Sequence, residues 1–203
     1  MTTNLFNSNK TSTESGERAE MQALHDTLAD RAERQGTLDV AYRTIDSPVG
    51  RLLLAATDRG LVRVAYEAEG HDSVLAMLAT RVSPRILHAR TRFDAAAREI
   101  DEYFAGRRQV FDMPVDLRLS HGFRSRVLTH LKTIGYGQTA SYGSIAAAAG
   151  SPKAVRAVGT ACATNPIPIV LPCHRVIRGD GSFGGYIGGA DAKRILLDLE
   201  AAA

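Results

Sequence analysis

The chain has 203 residues, 44% hydrophobic and 23% charged, which suits an ordinary globular protein of one or two small domains. No apolar run nears the ~20 residues that span a bilayer, and Met1-Thr2-Thr3-Asn4 lacks the cationic-then-apolar pattern of an export signal, so a cytoplasmic location with no membrane partner is the default expectation. The net charge is only +3, but from Arg118 onward there are 10 Lys+Arg against 4 Asp+Glu, a net of +6, which leaves −3 for residues 1–117 and points the basic part toward a polyanion such as nucleic acid.

Residues 1–37 read as a polar N-terminal extension. Its first ~15 residues are expected to be a mobile tail, since they bury too little to offset ordering. A helix is expected over Glu17–Gln35, with Met21, Leu24, Leu28 and Ala32 on one face. Strands follow at Val40–Ile45, Arg51–Ala56 and Leu61–Tyr66, the last two joined by the Asp58-Arg59-Gly60 turn into a hairpin. Helices are expected at Asp72–Arg81 and Arg92–Gly106, where Phe93, Ala96, Ile100, Tyr103 and Phe104 keep helical spacing. The unit over 38–115 is therefore a small α+β domain, and its expected role is structural support.

From Arg118 to Ala203 the pattern becomes mainly helical. Phe123, Val127, Leu131 and Ile134 define an amphipathic helix that stops at Gly135-Tyr136-Gly137. Ser141 is a good N-cap for a helix over Tyr142–Ala149, and Gly150 suits its left-handed end. Ser151-Pro152 then reads as N-cap plus first-turn proline of a second helix from Lys153 to Ala163. Two helices this close read as a helix-turn-helix, and the second begins with Lys153 and Arg156 among small residues, as approach to a phosphate backbone requires. The fold class is thus α/β in the α+β sense: a small sheet-plus-helices domain, then a mainly helical domain with a helix-turn-helix.

Asn165-Pro166-Ile167-Pro168-Ile169-Val170-Leu171-Pro172 delivers Cys173, followed directly by His174 and Arg175. Two cysteines, Cys162 and Cys173, make no disulfide framework, and no CxxC or Cys/His spacing suggests a metal site. A buried cysteine is more often inert packing than a nucleophile, and neighbouring positive charge is what favours a thiolate. Cysteine hydrolases usually bring their histidine from far away in the chain and need an oxyanion hole, neither of which can be identified here. The residues by themselves support an activated cysteine beside a DNA-binding helix pair, with a thiol hydrolase, a cysteine-sensing regulator and a non-catalytic DNA-binding module as alternatives.

Pro172-Cys173-His174-Arg175-Val176 resembles the active-site motif of the O6-alkylguanine-DNA alkyltransferases, the methylated-DNA–protein-cysteine methyltransferases. Gly135-Tyr136-Gly137-Gln138-Thr139 and Ser141-Tyr142-Gly143 are similar to the family's entry to its helix-turn-helix. Ala154-Val155-Arg156-Ala157-Val158-Gly159 is similar to its recognition helix, and Ala161 through Asn165-Pro166 to its hinge. Gly184-Gly185-Tyr186, Gly188-Gly189, Lys193-Arg194-Ile195-Leu196-Leu197 and Glu200 resemble its active-site loop and last helix. The similarity is strong over 118–200, weaker over 38–115, and does not reach the residues before Leu38.

The resemblance implies single-turnover DNA repair by direct damage reversal. O6-alkylguanine, with O4-alkylthymine left open, is flipped from duplex DNA bound at the minor groove, and its alkyl group passes irreversibly to Cys173. By the same resemblance, His174 is the base acting through a water, Glu200 orients it, and Tyr142 crowds the neighbouring phosphate and donates a proton to the base. Arg156 fills the vacated stack; Lys153, Ala154 and Ala157 lie along the DNA; Asn165 is the hinge; Val176, Tyr186, Ile187 and Gly188 shape the base pocket. Ile187 departs from a position that is polar in many members. The N-terminal domain lacks the cysteines of relatives that bind zinc, so neither a metal nor a soluble cofactor is implied. A monomer is expected, with cooperative assembly on DNA left open.

Overall fold

The structure is a computed structural model that describes residues 6–202, without the side chains of 6–15, 17–19 and 22. It is an α+β protein, and among the described residues no helix is long and apolar enough to cross a membrane.

Helix α1 (Phe6–Arg34) starts well before the expected Glu17. Residues 1–5 of the segment expected to be a tail lie outside the described residues. The expected apolar face is only partly used. Ala29 and Ala32 are buried, whereas Met21, Leu24 and Leu28 are exposed, because only the last turns of α1 approach the sheet and small side chains allow the close contact.

Strands β1 (Val40–Ile45), β2 (Leu52–Thr57), β3 (Gly60–Tyr66) and β4 (Ile86–His88) form one sheet in the order β3-β2-β1-β4. The β1–β2 and β2–β3 pairs are antiparallel and β1–β4 is parallel. Helix α2 (His71–Arg81) covers one face, packing Val74 and Leu78 on Leu53, Ala55, Val62 and Ala65. The other face, through Leu52, Leu54, Val64 and Tyr66, joins helix α3 (Asp94–Phe104) and the helical unit in one continuous core. Successive strand residues point to opposite faces, so burial on both sides explains why β2 reads as an unbroken apolar run. Val115 bridges in parallel to Leu61 beside Gly60, whose positive φ and contact with Pro114 leave no room for a side chain.

Helix α4 (Gly122–Leu131) ends three residues before Ile134, which is still buried after a closing turn. Ser141 caps helix α5 (Tyr142–Ala148), its hydroxyl accepting from Ser144 N at 3.0 Å, and Gly150 follows at φ 78°. Helix α6 (Val155–Ala163) starts two residues later than expected. Ser151 and Pro152 do not cap it. Ala154 N donates to Ser151 O at 2.8 Å, closing a turn that leaves Lys153 and Ala154 ahead of the first helical residue. Two short parallel strands, β5 (Ala140–Ser141) and β6 (Val176–Ile177), tie the helix pair to the segment after Cys173. Helix α7 (Gly189–Ala201) closes the molecule, with Ala192, Lys193, Leu196 and Glu200 on its buried face.

Candidate active site

Cys173 sits at the start of a single 3-10 turn, Cys173–Arg175, and is 1% exposed. The chain reaches it through a loop pinned by Asn165, which is itself fully buried. Asn165 Nδ2 donates to Leu171 O at 2.8 Å and to Cys173 Sγ at 3.1 Å, while its Oδ1 accepts from Ile167 N at 3.0 Å. One amide thus holds both the hinge and the sulfur. Ile169, at φ 73°, is the one non-glycine residue with positive φ among the described residues; for a β-branched side chain that is a strained conformation, and it lies in this loop.

Burial pushes the Cys173 thiol up to about 11, opposed by the Asn165 hydrogen bond and the Lys193 charge. His174 and Arg175 follow Cys173 in sequence, but adjacency does not decide whether their side chains face the sulfur. Arg175 instead turns away: its Nε and Nη2 donate to Glu200 Oε2 and Oε1 at 2.8 and 2.9 Å, and its Nη1 donates to Ile134 O. The cation in the field of the sulfur is Lys193, 1% exposed, whose Nζ donates to Val176 O at 2.6 Å.

Glu200 is the hub of a buried network. Its carboxylate accepts from His174 Nε2 at 2.8 Å, Tyr103 OH at 2.7 Å, Gly137 N at 3.2 Å and both Arg175 donors. These donors outweigh burial and hold its pKa at about 2. An ionised Glu200 assigns the proton to His174 Nε2 and leaves Nδ1 as the acceptor atom of a neutral ring. Burial also lowers the His174 pKa, which favours that neutral form. Nδ1 is buried and has no hydrogen-bond partner among the described residues.

The wall opposite brings together residues far apart in the chain. Tyr142, half-buried at the start of α5, lies over Gly184, where a β-carbon would sit 2.1 Å from its hydroxyl. Burial raises the Tyr142 pKa, so it stays protonated. Tyr186 meets Tyr66 of β3 hydroxyl to hydroxyl at 2.8 Å, and the Tyr66 ring fills the space that a side chain at Gly188 would need. Ile187 lines a separate basin with Arg63, Glu69, Thr164 and Pro166. Lys153, Arg156 and Ala157 are exposed and Ala154 partly so, and the Arg156 guanidinium has no partner among the described residues.

The sequence pattern around Cys173 does not mark Lys193, Tyr103 or Tyr66 as site residues. Lys193 carried a usable signal, since it shares the apolar face of α7 with Leu196 and Glu200 at i, i+3 and i+7. Tyr66 and Tyr103 carried none beyond ordinary strand and helix core spacing.

A buried thiol next to a carboxylate-held imidazole, on a two-unit α+β fold with a helix-turn-helix, defines a thiol protein of DNA-binding type. The sequence family described as 6-O-methylguanine DNA methyltransferase, ribonuclease-like domain, matches residues 40–117, and the DNA binding domain of the same description matches 122–202. A methylated-DNA–protein-cysteine methyltransferase of Mycolicibacterium paratuberculosis is 44% identical over 161 residues, covering 79% of this chain and 92% of the relative. The crystal structure of Mycobacterium tuberculosis O6-methylguanine methyltransferase superposes with a TM-score of 0.71 at 41% identity, covering 80% of this chain and 93% of that one. Mycobacterium tuberculosis OGT in complex with DNA gives the same score, identity and coverage. The chain belongs to the methylated-DNA–protein-cysteine methyltransferase family, and its activity is DNA repair by alkyl transfer.

Proposed function

We propose that this protein, a cytoplasmic monomer, binds duplex DNA carrying O6-alkylguanine at the minor groove, rotates the damaged nucleotide out of the stack, and transfers its alkyl group to Cys173 once per molecule. The observation that carries the reading is the pairing of an Asn165-held Cys173 thiol with a neutral His174 whose Nε2 is fixed on Glu200 and whose Nδ1 is left to accept a proton.

His174 Nδ1 takes the thiol proton through a water, and Glu200 stabilises the imidazolium that forms. This also answers the high thiol pKa, because in a site so buried the sulfur is deprotonated only when a base receives the proton. The sulfur lone pair forms the new S–C bond as the C–O6 bond breaks, and that electron pair leaves on guanine. Tyr142, protonated and at the pocket wall, donates a proton so that neutral guanine departs. The thioether formed is too stable to be discharged, so the protein is spent. The backbone at Cys173 and Val176 reads the guanine edge, and Tyr186 and Gly188 shape the wall, whereas Ile187 lines the separate basin rather than this pocket. Ala154 and Ala157 permit close approach in the groove, Lys153 adds charge near the phosphates, and the exposed Arg156 fills the vacated stack, offsetting part of a flipping cost of about a few kcal/mol.

Intact-protein mass spectrometry after incubation with O6-methylguanine duplex should show one added methyl, mapped to the Cys173 peptide. Cys173→Ala should lose the adduct and keep DNA binding. Binding without an adduct would make the protein a damage sensor, and repeated turnover with a released hydrolysed product would make it a hydrolase.

A further inference from the structure

Outside the thiol site, one concentration of charge has no part in the proposed chemistry. A basin of about 460 Å3 opens where the sheet unit meets the helical unit, lined by Arg63 of β3, Arg81 at the end of α2, Arg124 of α4, Ala163 at the end of α6, and Thr164 and Pro166 beyond it. Glu69 is the one acidic residue lining it, and it is committed to Arg63 and to Tyr66 N. Three guanidiniums face one carboxylate, an excess of positive charge. Arg81 and Arg124 have no acidic partner among the described residues, and Arg124 donates to Thr164 O. Arg63 is 7% exposed, and among the described residues neither its Nε nor that of Arg124 has a hydrogen-bond partner. The arginines also feel one another: after burial, the charges of Arg81 and Arg63 lower the Arg124 pKa.

The position of the basin specifies its ligand. The exposed stripe of α6 runs from Arg156 through Thr160 to Ala163 and Thr164, linked by Thr160 Oγ1 donating to Arg156 O and Thr164 Oγ1 donating to Thr160 O. Eight helical residues advance about 12 Å, so one duplex lying along α6 with Arg156 at the lesion passes the mouth of the basin. We propose that the Arg63–Arg81–Arg124 basin is a second phosphate site, which takes a backbone phosphodiester of the bound duplex beside the helix-turn-helix. The assignment rests on the DNA-binding reading above, and phosphate is the shared chemistry that a free inorganic anion could also supply.

The test uses the full chain with Arg81→Ala and Arg124→Ala combined, and a lesion-free duplex, so that its outcome is independent of alkyl transfer. Fluorescence anisotropy between roughly 50 and 200 mM salt gives the slope of log affinity against log salt, which should become shallower by about one. The weakening should be equal for lesion-bearing and lesion-free duplexes. The paired Arg→Lys variant should restore most of the slope, and an unchanged melting temperature shows that both variants are folded. An unchanged slope in the folded Ala variant overturns the proposal. So does a titration in which inorganic phosphate shifts the Arg124 Nε resonance while the DNA slope stays at the wild-type value, since the basin would then hold a free anion. If the slope changes as expected but no methyl reaches Cys173, the phosphate site stands and the alkyl-transfer reading fails.

Discussion

Glu200 shows how much a single side chain carries here. Five donors converge on its two oxygens, and its pKa falls from the ordinary 4.5 to about 2. A carboxylate depressed in the folded state contributes stability that is fully present above its unfolded value and is lost as pH falls through the folded one. Urea midpoints of the wild type should therefore drop as pH is lowered from about 4.5 toward 2. Glu200→Gln should start less stable at neutral pH, because the buried Arg175 loses its counter-charge, and should vary less across that window. Parallel pH curves for the two proteins would mean that Glu200 titrates as it does in the unfolded chain. At this scale the sequence was legible for Cys173, His174, Glu200 and Asn165, whose identities came with the family motif. Their partners were not, since Tyr103 lies 97 residues from Glu200 and nothing local marks a helix tyrosine as a carboxylate donor.

Short elements set the pocket. Helix α5 is capped as its sequence dictates, by Ser141 at one end and a left-handed Gly150 beyond the other. Helix α6 is not, because Ser151–Ala154 closes a turn before the helix starts, a competition between turn and N-cap that the Ser-Pro pair leaves open. The loop into α7 depends on bare backbone at two glycines. At Gly188 a β-carbon would lie 2.5–2.7 Å from the Tyr66 ring, and that ring is held by Tyr186. Gly188→Ala should force the ring aside, cost about 1–3 kcal/mol in unfolding free energy, and slow methyl transfer to Cys173. Normal transfer kinetics in a variant of normal stability would show that the Tyr66–Tyr186 wall does not shape the pocket.

The two units of the chain share one core and are joined at a buried charge. Arg63 of the sheet donates to Val64 O, Asn165 O and Pro166 O and pairs with Glu69, so the sheet grips the hinge directly. The stretch expected to give structural support thus contacts the hinge carbonyls through Arg63. Arg63→Ala removes a donor from Val64 O, Asn165 O and Pro166 O and leaves the Glu69 carboxylate without its counter-charge. It should destabilise the chain by about 3–5 kcal/mol, with both units melting together in a single calorimetric transition. A transition that splits in two would show that the shared core does not couple the units without Arg63, and an unchanged melting temperature would show that Arg63 does not join them.

By itself the sequence determined the strands, the hairpin, the helix pair and the thiol motif, because alternation, capping and turn chemistry act over a few residues and the motif lies in one run. Only the tertiary structure decided which cation faces the sulfur, why Arg175 does not, where α6 begins, how β3 supplies Tyr66 to the site wall, and that three arginines from separate elements share one basin. Each of these joins residues tens of positions apart through burial and charge, and no local spacing records such a meeting.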